Sequence, residues 1–256
     1  MPSADTWKGL ALPLVLIVAG EIAGRMANLT DIDSLAPPSS IVLAFIEAVR
    51  DGSVLTTTRD TLFTAFAGLA IGGAVGLLIG ILLGVVPAAD RLMEVSIESI
   101  RPIPSIAILP IVLIALGFGY RLEIAIISFA CMWPLLILTR AAVRGVEPRL
   151  MEVSRALRLS PAARVFKIVI PAALPRIFVA FRLAAGIALI VSVTVEIAIN
   201  PLGLGHALMV AQQALRPNLM LAWLVWLGIV GWGLNALLLF AQNRLFGRAA
   251  IVEDVR

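Results

Sequence analysis

Charged residues are scarce in this chain. Only 14% of its 256 residues are Asp, Glu, Lys or Arg, whereas 61% are hydrophobic, and the mean hydropathy is +1.04. A soluble domain has about 25% charged and roughly 45–50% apolar residues. A soluble fold of this size would therefore lack the polar surface that covers a core. The excess apolar surface is expected to face lipid.

Cysteine and histidine each occur once, and lysine only twice. Cys131 cannot form an internal disulfide, so the fold does not depend on an oxidising compartment. In its apolar run it is expected to pack as a small hydrophobe. The single histidine, His206, has no second histidine with which to build a metal site or a catalytic pair. Neither Lys8 nor Lys167 ends a Gly-Lys-Ser/Thr phosphate loop, so ATP hydrolysis would need another chain.

Long apolar runs recur along the chain, and about 20 such residues cross a bilayer as a helix. The sequence predicts an all-α integral membrane protein with about six transmembrane helices. These are Leu10–Leu29, Leu62–Val86, Pro102–Tyr120, Ile124–Thr139 (extended through 143), Ile177–Ile199 and Leu219–Asn243. The first carries Glu21 and Arg25, spaced as a helical ion pair. Because Lys8 precedes a short apolar stretch, a cleaved signal peptide is the alternative there.

The basic residues are distributed unevenly between the two sides of the predicted membrane. With a cytoplasmic amino terminus, the inside segments hold Lys8, Arg91, Arg101, Arg140, Arg144, Arg149, Arg155, Arg158, Arg164, Lys167, Arg176, Arg244, Arg248 and Arg256. The outside segments and span ends hold Arg25, Arg50, Arg59, Arg121 and Arg216. This positive-inside bias predicts that both termini are cytoplasmic, which requires an even number of spans. The arginines thus indicate topology rather than nucleic-acid binding.

The second predicted span has a glycine at every fourth position. The residues are Gly68, Gly72, Gly76, Gly80 and Gly84. Small residues on one stripe allow another helix to approach closely. The stripe therefore predicts either plain helix packing or contact with a helix that slides or rotates during transport.

Four residues in or beside the spans are candidates for a transport pathway or gate. Pro102, Pro104 and Pro110 fall in the third span, where proline frees carbonyls and kinks a helix. The alternative is kinked packing. Glu196 lies near the outer end of the fifth span, where ionisable groups are costly and often functional. It is expected either to anchor the following turn or to line an outer gate. Arg182 is expected either to snorkel toward the inner surface or to lie on the exit route of an anion.

The longest polar connection runs from Arg140 to about Pro175. The sequence predicts a short helix over Leu150–Leu159, with Glu152 in the first turn, where it complements the helix dipole. The apolar face of this helix consists of Leu150, Val153, Ala156 and Leu157. A simple membrane anchor does not need such a loop, whereas a docking helix for a soluble partner does.

This loop resembles the cytoplasmic loop of the permeases of binding-protein-dependent ABC importers. That family has Glu-Ala-Ala, a glycine four residues after the second alanine, and a later Ile-x-Leu-Pro. The matching residues here are Glu152, Val153, Ser154, Arg155, Ala156, Leu157, Arg158, Leu159 and Ser160, followed by Phe166, Ile168, Ile170 and Pro171. Val153 and Ser154 replace the alanines. Arg158 replaces the glycine, so the loop geometry or its fit to an ATPase is expected to differ.

Further stretches are similar to the sulfonate, taurine and nitrate branch of that family. They are Leu35–Ser39, the glycine stripe, Arg101–Pro104 with Ala107 and Pro110, and Gly203–Gly205 after Asn200, and they cover most of residues 35–245. The resemblance implies a type I ABC importer transmembrane domain spanning 1–256. It would comprise a peripheral first span at 10–29 and a core permease at 55–246, with the coupling loop at 144–175.

The resemblance also implies the function and the partners. The chain would move a small anion, such as a sulfonate, taurine or nitrate, from periplasm to cytoplasm across a bacterial inner membrane. Two ATPase subunits would bind ATP and Mg, so this chain would be no enzyme and would hold no cofactor. A second permease copy, a periplasmic solute-binding protein and the lipid bilayer complete the partners, without nucleic acid.

Two other classes of protein compete with this interpretation. An ion-coupled secondary transporter would use Glu21 or Glu196, but six spans are few for that class and no inverted repeat is visible. An intramembrane enzyme would need a catalytic cluster, and the predicted spans contain no His/Asp/Glu group or Ser/His pair.

Overall fold

The computed structural model describes residues 15–26 and 36–247. Its helices are α1 (15–26), α2 (Pro38–Arg50), α3 (Ser53–Val85), α4 (Pro87–Ile100), α5 (Leu109–Leu116), α6 (Tyr120–Arg144), α7 (Pro148–Ala156), α8 (Pro161–Arg164), α9 (Ile170–Ala198), α10 (Gly203–Gln213) and α11 (Pro217–Phe246). A 3-10 turn (Ser105–Ile108) precedes α5, and a π-helical turn (Val165–Val169) joins α8 to α9. These two ranges contain no β-strand. The predicted all-α class is confirmed.

Four helical stretches are long and apolar enough to cross a membrane. They are α3, α6, the run Pro161–Gln213 that comprises α8, the π-helical turn, α9 and α10, and α11. A fifth candidate is the pair formed by α4 and Ser105–Leu116, which is bent by 78°. The predicted first span extends beyond the described residues, of which α1 covers only 15–26. The structure thus supports a multi-pass helical membrane protein with four or five of the six predicted spans.

The third predicted span, Pro102–Tyr120, is not one continuous helix. Pro102 and Pro104 lie in the break between α4 and the 3-10 turn, where Pro104 is extended with φ −60°. Proline lacks an N–H and disfavours a helical residue before it, which explains the break. Pro110 instead lies in the first turn of α5, where helical N–H groups have no partner anyway.

Helices α3 and α6 run in the same direction and contact each other along the glycine stripe. A Cβ atom at Gly80 would lie 2.7 Å from the Leu136 carbonyl oxygen, and one at Gly84 would lie 2.6 Å from Cγ1 of Val143. Cβ atoms at Gly72 and Gly76 would meet backbone atoms of α6 as well. Only glycine permits this close approach. Helix α9 packs against both helices in the opposite direction, and Cys131 is fully buried among the three.

The bundle has two distinct ends. The basic end is the one at which α3 and α6 finish, near Gly84 and Arg144; the opposite end contains Asn200. Helix α11 extends from one end of the bundle to the other. Near the opposite end, the indole N–H of Trp226 donates to the Thr58 hydroxyl at 2.9 Å. Toward the basic end, Arg182 donates to Gln242 of α11 at 3.1 Å.

The long predicted loop is shorter than expected because much of it is helical. Helix α9 begins at Ile170, and residues 161–169 already form α8 and the π-helical turn. Pro171 is accommodated in the first turn of α9, although Pro175 lies inside that helix. His206 lies in α10.

Candidate functional site

Helix α7 turns an apolar face away from the bundle. Leu150, Val153 and Leu157 are 38%, 49% and 65% exposed. Its inner face holds Ser154, which is fully buried and donates its hydroxyl to the Met151 carbonyl at 2.6 Å. Because α7 lies outside the apolar spans, its exposed hydrophobic row marks a contact surface.

The residues predicted to contact an ATPase flank this row. Glu152, Arg155 and Ala156 are exposed together with Val153 on α7. The predicted helix Leu150–Leu159 is displaced: α7 spans Pro148–Ala156. Helix α7 ends before the predicted end at Leu159, because the backbone leaves the helical conformation after Ala156.

That turn contains an arginine in a left-handed conformation. Arg158 has φ +48°, and its N–H donates to the Arg155 carbonyl at 2.9 Å. The Leu159 N–H donates to the Ser154 carbonyl at 3.1 Å. This pattern caps a helix carboxyl end and normally employs glycine. The arginine therefore stands in a glycine-type turn, and Ser160 then caps α8 by accepting from the Ala163 N–H at 3.2 Å.

A buried carboxylate joins α4 to α6 at the basic end. Asp90, only 4% exposed, pairs with Nε of Arg140 at 2.6 Å and with Arg144 through its other oxygen. Glu94 lies 3.7 Å from Arg140. Two guanidinium groups on one buried acid hold the start of α4 against the end of α6.

A cavity of about 770 Å³ lies beside these ion pairs. Its polar lining residues are Asp90, Arg91, Glu94, Arg140, Arg144 and Arg164. Met151 of α7 forms part of its apolar wall. The cavity therefore adjoins the helix that carries the exposed apolar row.

A second polar group is buried near the opposite end. Glu123 of α6 accepts hydrogen bonds from Thr64 and Ser192, both at 2.5 Å, and from the Asn200 amide at 2.6 Å. Asn200 also accepts from the Gly119 N–H at 2.9 Å. The Glu123 carboxyl thus joins α3, α6, α9 and the turn that follows α9.

Glu196 occupies the same polar group. It accepts from the Thr61 hydroxyl and from the Gly205 N–H, each at 2.7 Å. Gly203, with φ +83°, lies directly against its carboxyl, where a Cβ would collide. This geometry favours the anchoring role of Glu196; a role at the outer gate stays a prediction.

The remaining gate candidates differ from Glu196 in their exposure to solvent. Pro102, Pro104 and Pro110 are exposed on the single chain, whereas Glu196 is buried. A pathway role for the prolines stays a prediction.

Sequence reasoning missed most of the polar group. Glu123 follows Arg121 at the start of a span and looks like an interfacial charge. The sequence spacing does contain a signal for this group. Thr61 and Thr64 are three residues apart, and Ser192 and Glu196 are four residues apart, so each pair lies on one face of its helix.

Comparisons with known proteins agree with these features. Residues 76–251 match the family described as "Binding-protein-dependent transport system inner membrane component". The chain is 31% identical to the aliphatic sulfonates transport permease protein SsuC of Bacillus subtilis, over 88% of this chain and 81% of SsuC. It is 30% identical to the nitrate import permease protein NrtB of a Synechocystis species, over 71% of this chain and 68% of NrtB.

The fold is also found in solved structures. A chain of the inward-facing MetNI methionine ABC transporter matches with a TM-score of 0.65 and 24% identity, covering 75% of this chain and 93% of that one. An amino acid ABC transporter gives a TM-score of 0.65 at 19% identity, covering 78% of this chain and 98% of that one. At these identities the likeness shows the fold alone. The sequence match over more than half of the chain shows the family: this protein belongs to the inner membrane components of binding-protein-dependent transport systems, as an ABC importer permease subunit.

Proposed function

We propose that this chain imports a small anion from periplasm to cytoplasm, driven by ATP that a separate pair of ATPase subunits hydrolyses. The observation that carries this proposal is the exposed row of Leu150 and Val153 on α7 and Leu157 just after its carboxyl end, outside the apolar spans. A soluble partner that docks there would remove the row from water. The sulfonate and nitrate in the names of two relatives support an anion as solute.

The orientation follows from charge. We place the basic end, with α7 and the arginines around Asp90, in the cytoplasm because basic segments favour that side. Both termini would then be cytoplasmic, in a bacterial inner membrane. One domain would span 1–256, with the first span at 10–29 peripheral to the core permease at 55–246. The docking site would be Glu152–Ser160.

The packing of α7 suggests how movement of an ATPase reaches the spans. Met151 contacts an apolar group formed by Ala142 and Val143 of α6 together with Val169, Ala173 and Ile177. A shift of α7 would therefore displace the end of α6 and the start of α9 together. The close α3–α6 contact would move with them as one unit, as in a rigid-body switch between two states.

The other partners follow from the same proposal. Helix α11 buries none of its most apolar stretch within the single chain, so it is free to contact lipid or a second permease copy. A periplasmic solute-binding protein would deliver the anion at the opposite end. ATP and Mg would bind the ATPase, and this chain would hold no cofactor.

Transport in liposomes tests the proposal. The chain is co-expressed with candidate ABC ATPase subunits and reconstituted, and candidate binding proteins loaded with labelled sulfonate, taurine or nitrate are added on the opposite side from ATP. Uptake that requires both ATP and the binding protein is the expected result. Uptake by the chain alone, driven by an ion gradient without ATP, would overturn the proposal in favour of a secondary transporter.

A further inference from the structure

Four arginines surround the cavity beside α7, and they outnumber the acids there. Arg91, Arg140, Arg144 and Arg164 line it together with Asp90 and Glu94. Four guanidinium groups against two carboxylates leave a formal surplus of two positive charges. A cavity with this balance attracts anions.

The surplus falls on two particular side chains. Arg140 and Arg144 pair with Asp90, and Arg140 also approaches Glu94. These four groups neutralise one another, which leaves the charges of Arg91 on α4 and Arg164 on α8. The two lie on different elements of the cavity wall, so an anion between them would bridge α4 to the loop.

Arg164 has a buried donor without an acceptor. Its Nε atom is inaccessible to solvent and has no hydrogen-bond partner among the residues that the structure describes. Leaving a charged group's N–H buried and unpaired is costly. Arg164 also lines the cavity, so its positive charge lies at the cavity wall.

The rest of the cavity wall is apolar and lies where the spans end. It includes Val85, Val143, Val146, Met151 and Val169. Arginine pairs with phosphate oxygens in a two-pronged geometry. Basic pockets between helices at the cytoplasmic membrane surface suit anionic headgroups.

We propose that this cavity binds a phosphate group, either that of an anionic phospholipid headgroup or a free phosphate-type anion, between Arg164 and Arg91. The bound group neutralises the two surplus charges of Arg164 and Arg91. It also fixes the loop that follows α7, because Arg164 lies in α8 and Met151 of α7 shares the cavity wall. The binding is independent of the proposed transport function, whereas any effect on ATPase coupling rests on it.

Binding to the delipidated full chain in neutral detergent tests this site without ATP. The probes are dioleoylphosphatidylglycerol, dioleoylphosphatidylcholine and inorganic phosphate, measured by native mass spectrometry and thermal shift. Phosphatidylglycerol should bind with one-to-one stoichiometry and raise the unfolding temperature. Arg164→Gln should weaken this binding about tenfold, the factor that corresponds to about 1.4 kcal/mol.

Matched variants separate the site from general electrostatics. Arg149→Gln removes an exposed arginine of α7 that does not line the cavity, and should bind as the unmodified chain does. Arg164→Lys should bind between the two. If Arg164→Gln fails to fold, Arg91→Gln, which alters an exposed side chain, carries the test.

The outcomes distinguish the source of the phosphate. Stabilisation by phosphatidylglycerol that inorganic phosphate does not reproduce indicates a lipid headgroup. Stabilisation by inorganic phosphate that is lost in Arg164→Gln or Arg91→Gln indicates a free anion. If both cavity variants bind every probe as Arg149→Gln does, the site does not exist.

Discussion

The hydroxyl of Thr61 on α3 donates a 2.7 Å hydrogen bond to Glu196, which lies 135 residues later on α9. The same hydroxyl oxygen accepts the Leu204 N–H of α10 at 2.9 Å. All three residues are buried. One threonine therefore joins three helices near the opposite end, and its hydroxyl serves as both donor and acceptor.

Thr61→Val should destabilise the protein by about 2–4 kcal/mol at nearly unchanged volume, because it leaves the Leu204 N–H without a partner and removes the shorter of the two hydrogen bonds to Glu196 Oε1. The measurement is the unfolding temperature of the purified chain in detergent. Thr56→Val is the control, since Thr56 is exposed and, among the described residues, its hydroxyl bonds only to the Gly52 and Ser53 carbonyls. Equal unfolding temperatures for the two variants would show that the polar group does not hold α10 in place.

The glycine stripe gives a second prediction. Gly76→Ala should cost about 1–3 kcal/mol, because the added Cβ meets the Met132 carbonyl oxygen and the helices must separate. Gly228→Ala on α11 should be neutral or slightly stabilising, since its Cβ would meet no side chain or neighbouring helix within 4 Å in the part of the chain that the structure describes. Thermal unfolding of both variants checks this. A Gly76→Ala protein as stable as Gly228→Ala would mean that α3 and α6 do not approach as closely as described.

The buried acid at the basic end gives a third prediction. Asp90→Asn should lower the stability by about 1–3 kcal/mol, since Arg140 and Arg144 lose their shared partner. The loss is moderated because the Arg144 side chain is 41% exposed. Chemical unfolding should show it, with Glu98→Gln, an exposed position on the same helix, as the unaffected control. Equal effects of the two substitutions would contradict the ion pairs of Asp90 with Arg140 and Arg144.

The turn after α7 gives a fourth prediction. Arg158→Gly should stabilise this turn by about 0.5–1 kcal/mol, because glycine adopts a left-handed backbone without the strain that a side chain causes. This net gain already includes the opposing effect of the greater conformational freedom of glycine in the unfolded chain. Arg158→Val should do the opposite. Hydrogen exchange of the Leu159 amide, which bonds to the Ser154 carbonyl, reports directly on the turn. Slower exchange in Arg158→Val than in Arg158→Gly would contradict the assigned conformation.

Apolar length was enough to predict the spans that became α3, α6, α9 and α11, because a bilayer sets the number of residues that a helix needs. Length did not reveal the bend before α5. Pro102 and Pro104 break the helix locally, and the 78° angle depends on how α4 packs beyond the break.

The apolar face of α7 was predictable from helical spacing, but its end was not. Arg158 has no intrinsic preference for a left-handed backbone, so no residue-level rule would end the helix there. Glu123 was missed for a different reason. Its partners, Thr64 and Ser192, are 59 and 69 residues away and meet it only after α3, α6 and α9 have packed together.

The most direct test of the central claim compares two charge reversals in the chain co-expressed with its ATPase. Glu152→Arg alters the docking face of α7, whereas Glu98→Arg alters another exposed acid, on α4. We expect Glu152→Arg to reduce ATPase co-purification and uptake about tenfold, corresponding to about 1.4 kcal/mol of contact energy. Glu98→Arg should match the unmodified chain. Wild-type co-purification and uptake in the Glu152→Arg protein would contradict the claim that α7 couples this permease to ATP hydrolysis.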